Sequence, residues 1–112
     1  MKIKTTEKLK NIIDNAIKNQ LDFLNRMLNS PSMEISKDAK RDIEILTNIK
    51  QKNATNNLEV SIDDMPSLYL CIYNYIEDNG INSELKQLIN KMENEFRKET
   101  KFDIKIASGI WE

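Results

Sequence analysis

The side chains able to do chemistry in this chain are few, and their kinds exclude more than they suggest. There is no histidine and a single cysteine, Cys71. A zinc site of Cys and His ligands is therefore excluded, as are nucleophile systems that rely on a histidine base. The two glycines, Gly80 and Gly109, are isolated, so no glycine-rich loop is present to cradle a nucleotide phosphate. Carboxylates and phenols remain: the pairs Asp63-Asp64 and Glu77-Asp78, the glutamates Glu93, Glu95 and Glu99, and the tyrosines Tyr69, Tyr73 and Tyr75. Each acidic group has a plainer use than catalysis. Asp63 and Asp64 stand where a helix should start, Glu77 and Asp78 stand beside a turn, and no calcium-loop spacing surrounds either pair. The glutamates have Lys91, Arg97 and Lys98 as neighbours and read as solvated ion pairs. The expectation is a non-enzymatic protein with no catalytic residues, no cofactor and no metal.

The elements that carry these residues are helices. From Thr6 to about Asn29, apolar residues recur at Leu9, Ile12, Ile13, Ala16, Ile17, Leu21, Leu24, Met27 and Leu28, the three-and-four spacing of one helical face. Asp14, Lys18, Asp22 and Arg26 alternate in sign on the side assigned to solvent. Asn29-Ser30-Pro31-Ser32 stops this helix, because proline lacks an amide proton and disfavours helix in the residue before it. A second helix, capped by Ser36, runs to about Asn53 with Ala39, Ile43, Leu46 and Ile49 inward. The longest uncharged stretch, Met65 to Ile76, predicts a third helix that is apolar nearly all round and so enclosed by others. It should begin at Asp63 or Asp64, placing Pro66 in the first turn, and end at Asn79-Gly80. A fourth helix follows, capped by Asn82 or Ser83, with Leu85, Leu88, Ile89, Met92 and Phe96 inward.

Two segments break the helical period. Asn53 to Asn57 reads as a polar loop, and Leu58, Val60 and Ile62 then alternate with polar residues as a short strand would, with Lys2 to Lys4 and Phe102 to Ile106 as possible partners. From Lys101 onward Phe102, Ile104 and Ile106 alternate, then Ser108-Gly109 turns into Ile110-Trp111-Glu112. A non-helical tail carrying the sole tryptophan is expected to fold back on the helices, given the apolar area a tryptophan buries. The expected class is all-α, a single 1–112 domain built as an antiparallel four-helix bundle with a short non-helical, strand-like tail.

Charge narrows the partners. Seventeen basic and eighteen acidic residues leave a formal net charge of −1, so no global field favours nucleic acid or an anionic membrane. No apolar run is long enough to span a bilayer, the N-terminal residues lack the apolar core of a signal peptide, and a lone thiol suits a reducing cytoplasm. Tyr69 to Ile89 admits a helix-turn-helix reading with Ser83, Glu84, Lys86, Gln87, Asn90 and Lys91 along a recognition helix, but Ile76 occupies a position where a small residue is preferred and the basic footprint is weak.

Asp64-Met65-Pro66-Ser67-Leu68 leading into Tyr73-Asn74-Tyr75-Ile76, followed by Gly80-Ile81-Asn82-Ser83 opening a fourth amphipathic helix, resembles the immunity proteins of pediocin-like bacteriocins. Residue-level likeness covers about Pro66 to Ile89, while length and helix order match over the chain. The resemblance implies a non-enzymatic bundle that acts by protein–protein contact on the cytoplasmic side of the membrane, on mannose phosphotransferase components captured by the bacteriocin. It also places specificity in the C-terminal half, onto Lys98, Lys101, Phe102, Lys105, Ile110 and Trp111. The strand-like Phe102 to Ile106 and the polar loop at Asn53 to Asn57 depart from that pattern. Two alternatives stand beside it: a phage or mobile-element protein that inhibits or regulates a host complex, and the helix-turn-helix regulator.

Overall fold

A computed structural model describes residues 1–110. In chain order the elements are β1 (Lys2–Lys4), α1 (Glu7–Met27), α2 (Met33–Asn53), β2 (Asn57–Glu59), α3 (Met65–Asn79), α4 (Ser83–Thr100) and α5 (Ile104–Ala107). The chain is mainly helical, as its apolar spacing predicts, but the described residues hold five helices and a two-stranded sheet rather than four helices alone.

Local chemistry sets most of the boundaries. Thr6 Oγ1 accepts from the Leu9 amide at 3.1 Å and starts α1, which buries Leu9, Ile13, Ala16, Ile17 and Leu24. The start of α2 differs from the expected Ser36. Ser32 is the cap, its Oγ accepting from the Ile35 amide at 3.4 Å, while the Ser36 hydroxyl donates to the Leu28 carbonyl at 3.3 Å and ties the new helix to the old one. Helix resumes directly after Pro31 because Ser32 supplies the acceptor and Glu34 complements the dipole in the first turn. Pro66 does lie in the first turn of α3 and Asp64 is its flanking residue, yet the aspartate side chain makes no capping bond; Ser61 Oγ accepts from the Asp64 amide at 3.3 Å instead. Gly80, at φ +81°, ends α3 in the left-handed region that glycine enters without strain. Asn82 Oδ1 then accepts from the Leu85 amide at 2.9 Å to open α4.

The uncharged segment is the hub of the packing. Helix α3 lies against α1, α2, α4 and α5, and it buries Met65, Leu68, Tyr69, Cys71 and Ile72. Helix α1 packs on both α2 and α3, and all the buried apolar residues form one cluster. The sheet closes one side of that cluster. Strands β1 and β2 are antiparallel with Lys2 opposite Glu59, Ile3 opposite Leu58 and Lys4 opposite Asn57, so Lys2–Lys4 is the partner and residues 102–106 are not. The ladder extends past the strands, with the Thr5 amide donating to Asn56 at 2.8 Å and the Val60 amide to Met1 at 2.9 Å. Leu58 and Val60 alternate inward and are buried.

Polar interior contacts hold α1 to the end of α2. Asn53, assigned to the polar loop, is the last residue of α2 and has no solvent exposure. Its Nδ2 donates to the Lys10 carbonyl at 3.3 Å and to Asp14 Oδ1 at 3.1 Å. Asp14 is thus half-buried and bonded instead of standing on a solvated charge ladder.

The tail corrects the strand-like expectation. Residues 104–107 form α5, one turn capped by Asp103, whose Oδ1 accepts from the Lys105 amide at 2.9 Å. Ile104 is fully buried and Ile110 packs partly buried on the cluster, so the described part of the tail does fold back. Trp111 lies outside the described residues.

Candidate functional site

The corner between α4 and α5 gathers most of the residues that the sequence suggests for partner contact. It is pinned from several directions. The Thr100 hydroxyl donates to the Phe96 carbonyl at 2.8 Å and accepts from the Phe102 amide at 3.1 Å, so one side chain fixes both sides of the bend. Between them Lys101 adopts φ +66°, a left-handed conformation uncommon for a residue with a Cβ, and its amide donates to Arg97 at 2.9 Å. Arg97 Nη2 lies 3.6 Å from Asp103 Oδ2, bracing the end of α4 against the start of α5. The Ser108 hydroxyl donates to the Ile104 carbonyl and closes the far end of the turn.

That frame displays Phe102 at 71% exposure and Ile106 at 63%, while Ile104 between them is buried. Lys98 and Lys101 are exposed and Lys105 is half-buried; none of the three forms an ion pair among the described residues. Ile110 is drawn inward as part of the packing, so its side chain supports the corner more than it presents a surface. Of the residues singled out by sequence, Lys98, Lys101 and Phe102 are thus exposed at or beside the corner, Lys105 is partly so, and Trp111 lies outside the described residues. Ile106 is a further exposed apolar residue of this corner, and the alternation of Phe102, Ile104 and Ile106, which suggests a strand, does not mark it out. The Asp103 cap, two residues before Lys105, was the signal that could have identified a helical turn there.

Other chemically capable groups are committed to the fold. The Tyr69 hydroxyl donates to Glu93 Oε1 at 3.2 Å, and its ring stacks on Tyr73 with centroids 6.5 Å apart. Burial, with the neighbouring Glu93 carboxylate, pushes the Tyr69 phenol well above its ordinary range. Cys71 is buried, and desolvation followed by the Asp42 charge pushes its thiol up to about 12. Such a thiol is not a nucleophile at neutral pH. Asp42 itself is raised by burial, with Arg41 partly opposing and Asp38 adding to the shift. Among the described residues no cluster of three or more carboxylates and thiols is placed to hold a metal ion. Along the suggested recognition helix, Glu84 accepts from the Thr6 hydroxyl at 2.6 Å and Lys91 pairs with Glu95 at 3.0 Å, so two of its six surface residues are bound within the molecule.

Comparison with known protein families, curated proteins and solved structures finds no match.

Proposed function

We propose that this chain is a non-enzymatic interaction protein of the bacteriocin-immunity kind, working through the α4–α5 corner on a protein partner at the cytoplasmic face of the membrane. In this reading α1 to α4 act as the antiparallel bundle that the resemblance implies, and α5 is an added turn that presents the contact residues. The partner is a transporter component with its bound bacteriocin, and no cofactor takes part. One observation supports this reading above the others: Phe102 and Ile106 stand exposed at a turn fixed by side-chain bonds, and Lys98, Lys101 and Lys105, close to them in sequence, form no ion pair among the described residues. An exposed apolar pair with cations close by in sequence suits an interface anchor with a polar rim. The DNA-binding alternative is weaker, since Glu84 and Lys91 are held in the fold and phosphate contacts need free cations.

The experiment is expression of the chain in a strain sensitive to a pediocin-like peptide. Survival should rise, and Phe102→Ser should abolish the gain without lowering the level of folded protein. Absence of protection against every pediocin-like peptide tried would overturn the proposal.

A further inference from the structure

A face of the molecule away from the corner carries a charge signature of its own. Residues 53–85 contain six carboxylates, Glu59, Asp63, Asp64, Glu77, Asp78 and Glu84, and no lysine or arginine, so all seventeen cations lie outside the segment that builds β2 and α3. We infer that the outer side of α3 is a docking furrow for a linear basic peptide with an apolar centre and Lys or Arg toward both ends.

Two hollows flank that side of the helix. One, of about 390 Å³, lies between α1 and α3 and takes in Phe23, Tyr75, Glu77 and Asp78. The other, of about 440 Å³, lies between α2, the start of α3 and α5, and takes in Arg41, Asp42, Asp63 and Asp64. Leu70 lines both, and Pro66, Leu70, Asn74 and Glu77 recur at three-and-four spacing, so the hollows meet along one stripe of α3. From Asp64 to Glu77 that stripe runs about 20 Å at the helical rise. Five carboxylates line the furrow against one cation, Arg41, which already offsets part of the Asp42 charge. No lysine of α1, α2 or α5 lines either hollow, and among the described residues none of the five carboxylates forms an ion pair. The helix dipole adds to this field. Helices α1, α2 and α4 each place basic residues in their last turn, whereas α3 has none and carries Glu77 and Asp78 there, at the end where its dipole is already negative. Cations are therefore wanted toward both ends of the furrow, with Leu70 between them and Phe23, 46% exposed, offering apolar contact. A small amine reaches one acidic end at a time and leaves that apolar middle uncovered. An extended peptide of about six residues spans both ends. Asn74 Nδ2 donates to Gln20 Oε1 at 3.1 Å across the first hollow, which leaves Asn74 Oδ1 to accept from a peptide amide. None of the residues assigned to the α4–α5 corner lines the furrow, so this inference does not rest on the reading of that corner.

The test is fluorescence anisotropy of three labelled peptides, KKLALAKK, EELALAEE and KKGSGSKK, against the full chain at low and high salt. KKLALAKK, whose lysine pairs lie about 20 Å apart when extended, should bind, and less tightly as salt rises. EELALAEE should not bind, and KKGSGSKK, which lacks the apolar centre, should bind about tenfold more weakly. Asp63→Asn with Asp64→Asn, and Glu77→Gln with Asp78→Asn, should each weaken KKLALAKK about fivefold, and the four changes together about 25-fold. Glu34→Gln with Glu44→Gln, two exposed carboxylates of α2 outside both hollows, should leave binding unchanged, as should Phe102→Ser at the corner, and circular dichroism checks that every variant is folded. No binding of KKLALAKK at low salt, equal binding of EELALAEE, or binding indifferent to the four furrow changes overturns the inference. Equal binding of KKGSGSKK, or displacement of KKLALAKK by spermidine at the same concentration as by unlabelled peptide, would mean a site for cations alone and reject the peptide.

Discussion

Ile104 offers the sharpest test of whether α5 belongs to the fold or merely trails from it. A single turn of four residues has no stability of its own in water, so packing must hold it in place. The side chain of Ile104 is fully buried, on a turn that packs against α3 and α4. Truncation to alanine removes three carbon atoms from that site. At about 0.8 kcal/mol per buried carbon the transfer loss is about 2.4 kcal/mol, and an unfilled cavity raises it toward about 4 kcal/mol. That is a large share of the roughly 5–15 kcal/mol that stabilises a domain of this size. Phe102→Ala, at a side chain 71% exposed, should shift stability by no more than about 0.5 kcal/mol. Urea unfolding followed by far-ultraviolet circular dichroism reads both variants, with the denaturant slope as a control. If Ile104→Ala only released the tail, the midpoint would barely move while amide protection over residues 104–107 vanished. A loss below about 1 kcal/mol, or one equal to that of Phe102→Ala, would refute the claim that α5 is part of the core.

Two further predictions concern the interior. Asn53→Ala should cost about 1–3 kcal/mol, since it leaves the Lys10 carbonyl and Asp14 without their buried donor, and a double-mutant cycle with Asp14→Ala should show the two changes to be non-additive; full additivity in urea melts would mean that the bond contributes nothing. The buried phenol and thiol make stability fall in alkali: both groups are raised in the folded state from ordinary values of 10.0 for Tyr69 and 9.0 for Cys71, so the folded protein holds its protons more tightly than the unfolded chain does. Their contribution is complete below about pH 9 and is lost as pH climbs toward the folded values. Urea midpoints between pH 8 and 11 should therefore decline, less steeply in Cys71→Ala, and a Cys71→Ala profile identical to that of the parent chain would remove the thiol from the account.

Sequence made the helices legible wherever the deciding chemistry is local. Thr6, Pro66, Gly80 and Asn82 each act within about one turn, and each lies where the boundary falls. The start of α2 was harder because Ser32 and Ser36 carry the same hydroxyl one turn apart. What separates them is the bond from Ser36 to the Leu28 carbonyl, a contact between two helices that no local pattern contains. Asn53 is a stronger case. Its partner Asp14 is distant in sequence, and asparagine is common enough in loops that a buried asparagine closing two helices looks the same in one dimension. The sheet, by contrast, was visible in the alternation of Leu58 and Val60, although only the fold decides that Lys2–Lys4 rather than residues 102–106 supplies the second strand.

The candidate surface shows why a two-residue period misleads over so short a stretch. In a strand, residues two apart share a face, so Phe102, Ile104 and Ile106 would all lie on one side. In a helix, neighbours two apart are separated by about 200°, so Ile104 and Ile106 point to opposite sides. Only the helical turn fits a buried Ile104 beside an exposed Ile106, but the apolar spacing by itself does not contain that difference in burial. The choice is made by polar groups: Asp103 accepting from the Lys105 amide, Arg97 beside the same aspartate, and the Ser108 hydroxyl closing on the Ile104 carbonyl. These bonds orient a side chain that faces the core and two that face away from it. The burial of Ile104 beside an exposed Ile106 is thus a consequence of the capping chemistry at Asp103, and a change there would disturb that arrangement without touching either side chain.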